Sequence, residues 1–299
     1  MTVDNTPVVG RFAPTPSGFL HLGNVFCSLL AWLYAKSSGG KIVLRIEDLD
    51  PQRCSLAKAD ALARELEWLG LTWDEGAYCS ADSDSFFQSR RCDIYAHCFD
   101  LLQHQGLVYP CFCSRSELHA AEAPHASDGR IIYAGTCRKL TAAQRSAKMQ
   151  QRRPAWRIKV ADELIAFILR RSDGVYAYQL AVVIDDALMG VNQVVRGCDL
   201  LSSTPVQLYL YRLLNLTPPS FCHIPLLTDA AGRRLSKRDG DLEIAALRQH
   251  FGSPEPIIGL LAYLAGQLPK PEPLTAAELL LLFRPEKVPL ENIVVPQLL

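Results

Sequence analysis

Three groups of residues in this sequence have the types and spacing that chemistry requires. The first is Arg11-Phe-Ala-Pro-Thr-Pro-Ser-Gly-Phe-Leu-His-Leu-Gly-Asn24, an apolar segment entering a Pro/Gly turn that leads into a helical pattern. A strand that turns directly into a helix presents free backbone N–H groups and the positive end of the helix dipole, and both suit a phosphate. Gly18 and Gly23 let backbone and nucleotide come close, and His21 can donate to phosphate oxygens. By itself the segment reads equally well as a Pro-rich turn with a satisfied histidine. The second group is Gly232-Arg-Arg-Leu-Ser-Lys-Arg238, a basic, Gly-led loop more than 200 residues downstream. Alone it is an ordinary solvated loop, and the pairing with the first group gives it meaning. The third group, Cys111-x-Cys113 with Cys137, offers three soft ligands and lacks a fourth for a closed tetrahedral zinc site. Tyr133, His119 and His125 are the candidates, and chemistry alone favours a histidine. Cys27, Cys54, Cys79, Cys92, Cys98, Cys198 and Cys222 read as reduced core cysteines.

The elements that must position these groups begin as alternating strand and helix. Val8–Ala13 suits a buried strand, Leu22–Ser38 a helix stopped by Gly39-Gly40, and Lys41–Glu47 a second strand. Ser55 can cap a helix running to Gly70. This order predicts an α/β protein, a parallel sheet covered by helices. After residue 105 the alternation gives way to cysteines, a Ser114-x-x-Glu117 capping box and a polar stretch at His119–Gly129, which suggests an insertion. Strand and helix signals resume at Tyr176–Ile184 and Val191–Arg196, and Ser203–Leu214 reads as a helix with Pro205 near its first turn. From Glu243 onward the segments look helical, with a second capping box at Thr275-x-x-Glu278. The expected division is a catalytic domain of residues 1–105 and 190–242, an insertion at 106–189, and a short helical remnant at 243–299.

His21-Leu-Gly-Asn24 and Arg234-Leu-Ser-Lys-Arg238 together resemble the two signatures of class I aminoacyl-tRNA synthetases. Arg11–Gly18 and Leu44-Arg-Ile-Glu-Asp-Leu-Asp-Pro-Gln-Arg53 are similar to the glutamyl-tRNA synthetase family within that class. The resemblance runs from Arg11 to about Arg248 and departs at two positions. Asn24 stands where the first signature commonly ends in histidine, and Arg234 where the second usually begins with lysine. Both still donate hydrogen bonds, so nucleotide contacts are expected to be weakened at most. Only 62 residues follow Lys237, too few for the large anticodon-binding region of glutamyl-tRNA synthetases, and in this the chain resembles the glutamyl-queuosine tRNA(Asp) synthetases.

That resemblance implies a Rossmann-type nucleotide-binding domain with a zinc-bearing insertion. It implies ATP-dependent activation of glutamate, with Mg²⁺, and transfer of glutamate to queuosine in the anticodon of tRNA(Asp). His21 and Lys237 would be catalytic, and Gly18, His21, Gly23, Asn24, Leu235, Ser236 and Lys237 would hold ATP. Arg11, Phe12, Ala13, Pro14, Thr15, Glu47, Tyr178 and Arg196 would hold glutamate. Charge sorting agrees: guanidinium groups take the two carboxylates bidentately, Glu47 takes the ammonium, and Tyr178 adds a hydroxyl. Tyr133-Ala-Gly-Thr-Cys137 matches the Tyr-x₃-Cys that completes the zinc site in the glutamyl-queuosine enzymes, which selects Tyr133 beside Cys111, Cys113 and Cys137. The alternatives are a truncated synthetase charging a tRNA 3′ end and a non-catalytic tRNA-binding module, and intact His21, Glu47 and Lys237 argue against the second.

Composition narrows the field further. In 299 residues, 31 basic and 31 acidic side chains cancel and 49% of residues are hydrophobic, which excludes a disordered or supercharged chain. The length suits about two domains. The longest apolar stretches, Val25–Ala35 and Ile257–Gly266, are too short to cross a bilayer, and the first seven residues lack a basic n-region. A soluble, cytoplasmic monomer with no membrane partner and reduced thiols is expected. From Arg130 to Arg171, eleven Lys or Arg face two acids, a local charge of +9 inside a neutral total and a candidate phosphate-contacting surface.

Overall fold

The computed structural model describes residues 6–79, 83–114, 117, 133, 135–160, 166–235 and 243–296. Its elements begin with β1 (Val9–Phe12), α1 (Leu22–Ser37), β2 (Lys41–Leu44), α2 (Leu56–Trp68) and β3 (Glu75–Gly76). Then come α3 (Cys92–His104), β4 (Val108–Cys111), α4 (Ala142–Gln151), β5 (Ala155–Ile158), β6 (Ile168–Arg170) and α5 (Tyr178–Leu188). The chain continues with β7 (Gln193–Gly197), α6 (Thr204–Leu213), β8 (Ser220–Ile224) and β9 (Leu227–Thr228). It closes with α7 (Ile244–Phe251), α8 (Glu255–Leu264), α9 (Ala276–Leu282) and β10 (Ile293–Val294). Two compact units result, one from residues up to Arg90, Asp186–Ser202 and Pro219 onward, the other from Arg91–Asp185 and Ser203–Pro218.

The first unit is built on parallel strands. β1 pairs with β2 from Val9↔Lys41 to Phe12↔Leu44, β3 continues from β2, and β7 pairs with β8 from Gln193↔Ser220 to Gly197↔Ile224. Asn192 joins the two sets: its Oδ1 accepts from the Val9 N–H at 2.8 Å and its own N–H donates to the Val9 carbonyl at 3.1 Å. β7 therefore runs beside β1, next to the β1-β2-β3 sheet. All four residues of β1 are buried, which accounts for its unbroken apolar character apart from Arg11. α1 buries Leu22, Val25, Phe26, Leu29, Leu30 and Leu33, a stripe at helical spacing. It ends where Gly39 takes a φ of 67°, which L side chains rarely adopt. At Gly10 a Cβ would meet Ile42 Cδ1 at 3.0 Å and Ala35 Cβ at 3.2 Å, so glycine lets α1 lie close on the sheet. The C-terminal helices share this core, with Leu247, Ile257, Leu261 and Leu279 in one cluster with Leu29, Leu44 and Leu66.

The second unit holds an antiparallel sheet in the order β4-β5-β6, with a bulge between Trp156 and Arg157. Edge-on rings of Tyr95, Phe99, Trp156 and Tyr176 pack within it. Asp185 is fully buried there, accepting from Arg91 Nε at 2.7 Å and from the Tyr95 hydroxyl at 2.8 Å.

Local signals operate as their chemistry predicts. Ser55 Oγ accepts from the Lys58 N–H at the head of α2, and Thr275 and Glu278 bond reciprocally at the head of α9. Ser114 and Glu117 do the same. The strand expected over Lys41–Glu47 stops at Leu44, because Ile46 leaves the ladder for an isolated bridge to Phe87. All ten cysteines are free thiols. Cys79 and Cys92, expected in the core, are exposed, the second because it opens α3 on its outer face. No helix among the described residues is long and apolar enough to cross a membrane.

Candidate active site

At the carboxyl ends of β1, β2 and β7 the first unit gathers five charged side chains. Arg11 reaches the Val195 carbonyl with Nη1 at 3.2 Å and lies 3.5 Å from Asp186 Oδ1 through Nε. Arg45, fully buried, donates from Nη1 to the same Asp186 oxygen at 2.6 Å and from Nη2 to Glu47 Oε1 at 3.1 Å. The buried chain Arg11–Asp186–Arg45–Glu47 thus alternates in sign, the arrangement in which buried charges are tolerated. One oxygen of Glu47 is taken by Arg45, and no bond to the other is found among the described residues. Burial pushes the Glu47 carboxyl above its ordinary range, and Arg45 and Arg11 oppose that shift. The backbone supports the geometry, since the Glu47 N–H donates to the Pro14 carbonyl at 3.0 Å and the Arg45 N–H to the Phe12 carbonyl at 2.9 Å. Arg196, on β7, is also buried, its Nε donating to His223 Nε2 at 3.3 Å.

Of the residues the sequence designates for glutamate, Arg11, Glu47 and Arg196 belong to this unit, with Phe12 ending β1 and Ala13–Thr15 forming the turn beyond it. Tyr178 opens α5 in the other unit. Arg45 and Asp186 are absent from the sequence-derived set. A signal for Asp186 exists in retrospect, because two adjacent carboxylates inside the apolar helix Tyr178–Leu188 must find cations.

The first signature sits at the start of α1. His21 is the N-cap, its backbone N–H donating to Asn24 Oδ1 at 3.3 Å, and no acid occupies the first turn to offset the dipole. Asn24 therefore has a structural task of its own. A Cβ at Gly23 would lie 3.3 Å from the His21 ring, so glycine keeps the imidazole against the helix end. Gly18 lies in the bend before it. The second signature follows a tight turn in which Asp229 accepts from the Ala231 and Arg233 N–H groups, with Gly232 at φ 75°. Leu235 is buried and its N–H donates to the Leu227 carbonyl at 3.1 Å, and Arg234 pairs with Asp199. Ser236 and Lys237 lie outside the described residues. Downstream, Glu243 bridges to His21 and the Ile244 N–H donates to the Leu20 carbonyl at 2.9 Å. The fold thereby ties the chain just after the second signature to the first, across more than 200 residues of sequence.

In the second unit, Cys111, Cys113 and Cys137 place their sulfurs within 4.8 Å of one another, the Cys113–Cys137 pair at 3.6 Å. A tetrahedral ion with sulfurs at about 2.3 Å spaces them about 3.8 Å apart, so the donor set fits a zinc ion. Tyr133 Oη lies 3.5 Å from Cys111 Sγ and accepts from the Cys137 N–H at 2.8 Å, while the Arg157 guanidinium covers its ring at 4.1 Å. Burial and the neighbouring thiols push Cys113 up to about 12, whereas Tyr133, Arg157 and the backbone draw Cys111 down. His119 and His125 lie outside the described residues. Arg157 and Arg170 spend their charge on internal carbonyls and rings, so the basic segment offers less free charge than its sum. α4, within that segment, has no buried residue.

These features define a class I synthetase-type ligase. The model of the tRNA synthetases class I (E and Q), catalytic domain, matches residues 7–165 and 155–269. The glutamyl-Q tRNA(Asp) synthetase of Nitratidesulfovibrio vulgaris is 49% identical over 87% of this chain and 87% of its own length. That of Symbiobacterium thermophilum is 45% identical over 96% and 95%. A crystal structure of glutamate-tRNA synthetase from Elizabethkingia anophelis superposes with a TM-score of 0.81 at 26% identity, covering 97% of this chain and 68% of that one. The chain belongs to the glutamyl-Q tRNA(Asp) synthetase family.

Proposed function

We propose that the enzyme activates glutamate with ATP and transfers it to queuosine in the anticodon of tRNA(Asp). The observation that carries this is the buried set Arg11, Arg45, Glu47, Asp186 and Arg196 at the carboxyl ends of the parallel strands. Three cations against two carboxylates leave one positive charge, which complements the net charge of glutamate and leaves neutral glutamine unmatched. Arg11 and Arg196 bind the carboxylates, and Glu47 binds the ammonium through its second oxygen. The glutamate α-carboxylate attacks the α-phosphate of ATP, forming glutamyl-adenylate and releasing pyrophosphate. His21, the end of α1 and Lys237 stabilise charge on the phosphate oxygens, and Gly18, Gly23, Asn24, Leu235 and Ser236 shape the nucleotide contact. Magnesium bound with ATP would supply positive charge to the pyrophosphate leaving group. Cys111, Cys113, Cys137 and Tyr133 would hold a zinc ion, which would serve a structural role. The names of the relatives support the queuosine assignment, and the basic segment around α4 supplies phosphate contacts.

Glutamate-dependent ATP–pyrophosphate exchange tests the first step. For the second, a hairpin copying the queuosine-containing anticodon arm should accept glutamate, and tRNA(Asp) should still do so without its terminal adenosine. An inert hairpin, with acceptance abolished by trimming, would establish 3′-end charging instead.

A further inference from the structure

The guanidinium of Arg196 is held from two sides by one strand. In the parallel pairing of β7 with β8, Arg196 stands opposite His223, and its Nε donates to His223 Nε2 at 3.3 Å. Two residues earlier on the same face of β8, Phe221 lies under the guanidinium, 4.5 Å from ring centroid to Cζ. The Phe221 and His223 rings are nearly parallel, at 16°. One edge and one face of a planar group are thereby fixed by a two-residue platform.

We propose that His223, with Phe221 beneath, is the positioning residue for Arg196, setting the plane in which the guanidinium meets a carboxylate of glutamate. The proposal rests on the assignment of Arg196 to glutamate made above. A bidentate guanidinium–carboxylate pair tolerates little rotation, and an arginine side chain held at neither edge nor face would lose rotamer freedom on each binding event. To accept at Nε2 the imidazole must be neutral, with its proton on Nδ1. Burial and the adjacent Arg196 charge both hold His223 below the usual histidine range, which keeps that form populated. A histidine here also adds no charge to the balance that selects an anionic substrate.

Exchange kinetics with glutamate and ATP varied separately test this. His223→Leu is expected to raise KM for glutamate about ten-fold, the scale of one lost hydrogen bond to a charged group, with KM for ATP unchanged. His223→Gln, whose side-chain oxygen reaches the place of Nε2, should stay within about three-fold of the parent. In an Arg196→Lys background, His223→Leu should add less than about two-fold, because a residue acting through another shows non-additivity. If His223→Leu fails to fold, His223→Asn replaces it, being polar but too short to reach. Unchanged glutamate KM in His223→Leu beside a defective Arg196→Lys overturns the proposal alone, as does an equal rise in KM for ATP or full additivity. An Arg196→Lys enzyme with normal glutamate KM overturns the assignment of Arg196 itself, and the proposal with it.

Discussion

Asp186→Asn tests the buried charge chain around Arg45 most directly. Asp186 Oδ1 accepts from Arg45 Nη1 at 2.6 Å and lies 3.5 Å from Arg11 Nε, and the three side chains are 3%, 0% and 7% exposed. Replacing the carboxylate by an amide removes the charge that the buried guanidinium groups of Arg45 and Arg11 both face. Breaking a buried pair from one side costs about 3–5 kcal/mol, because the remaining charge keeps its desolvation penalty. The exposed Lys41–Glu75 pair serves as control, and Lys41→Ala should cost no more than about 1 kcal/mol. Urea unfolding of the three proteins, followed by far-UV dichroism, reads the difference. Exchange assays on the folded fraction should show kcat/KM for glutamate falling together with stability. An Asp186→Asn protein as stable as the Lys41→Ala control would refute the view that this carboxylate compensates Arg45 and Arg11.

Arg11→Ala should reduce kcat/KM for glutamate by about 1.5–3 kcal/mol, the worth of a charged hydrogen bond, and an unchanged value would reassign the carboxylate contact. Lys237→Ala should lower exchange about 10²–10³-fold in a folded protein, as loss of one donor to developing charge does, and undiminished exchange would remove the loop from the mechanism. Glu47 is raised above 4.5 by burial, so its ionised form, needed for the ammonium, is lost as pH falls through a value higher than the ordinary one. KM for glutamate should therefore climb on the acid side at a pH above 4.5, and a Glu47→Gln enzyme should show no such limb. Zinc should be present at one equivalent and disappear with Cys111→Ala, Cys113→Ala or Cys137→Ala, as metal analysis of protein purified without chelator will show. Retention in Tyr133→Phe, with loss in a His119 or His125 variant, would move the fourth ligand.

The alternation β1-α1-β2-α2 is legible because each element carries its own period and its own boundary signal, a start at Ser55 and a stop at Gly39. Arg11, Glu47 and Arg196 stand out through the family resemblance rather than through any period, and all three are buried. What sequence periodicity does not contain is register. His223 faces Arg196 only because β8 aligns with β7 residue for residue, and Asp186 meets Arg45 across 141 positions. Cys79 and Cys92 escape for another reason: residue type predicts average burial, and a helix start or a turn overrides it.

The bonds between Val9 and Asn192 also impose a timetable on synthesis. β1 emerges first but acquires its second neighbour only after some 180 further residues, and Arg91–Asp185 must be made in between. At about 5–20 residues per second, those 180 or so residues keep one edge of β1 open for roughly 9–36 s. Until Asn192 is made, the Val9 N–H and carbonyl lack the partners they take in the finished fold. Nascent-chain capture by a holdase, and aggregation of fragments ending before Asn192, should both peak in this window.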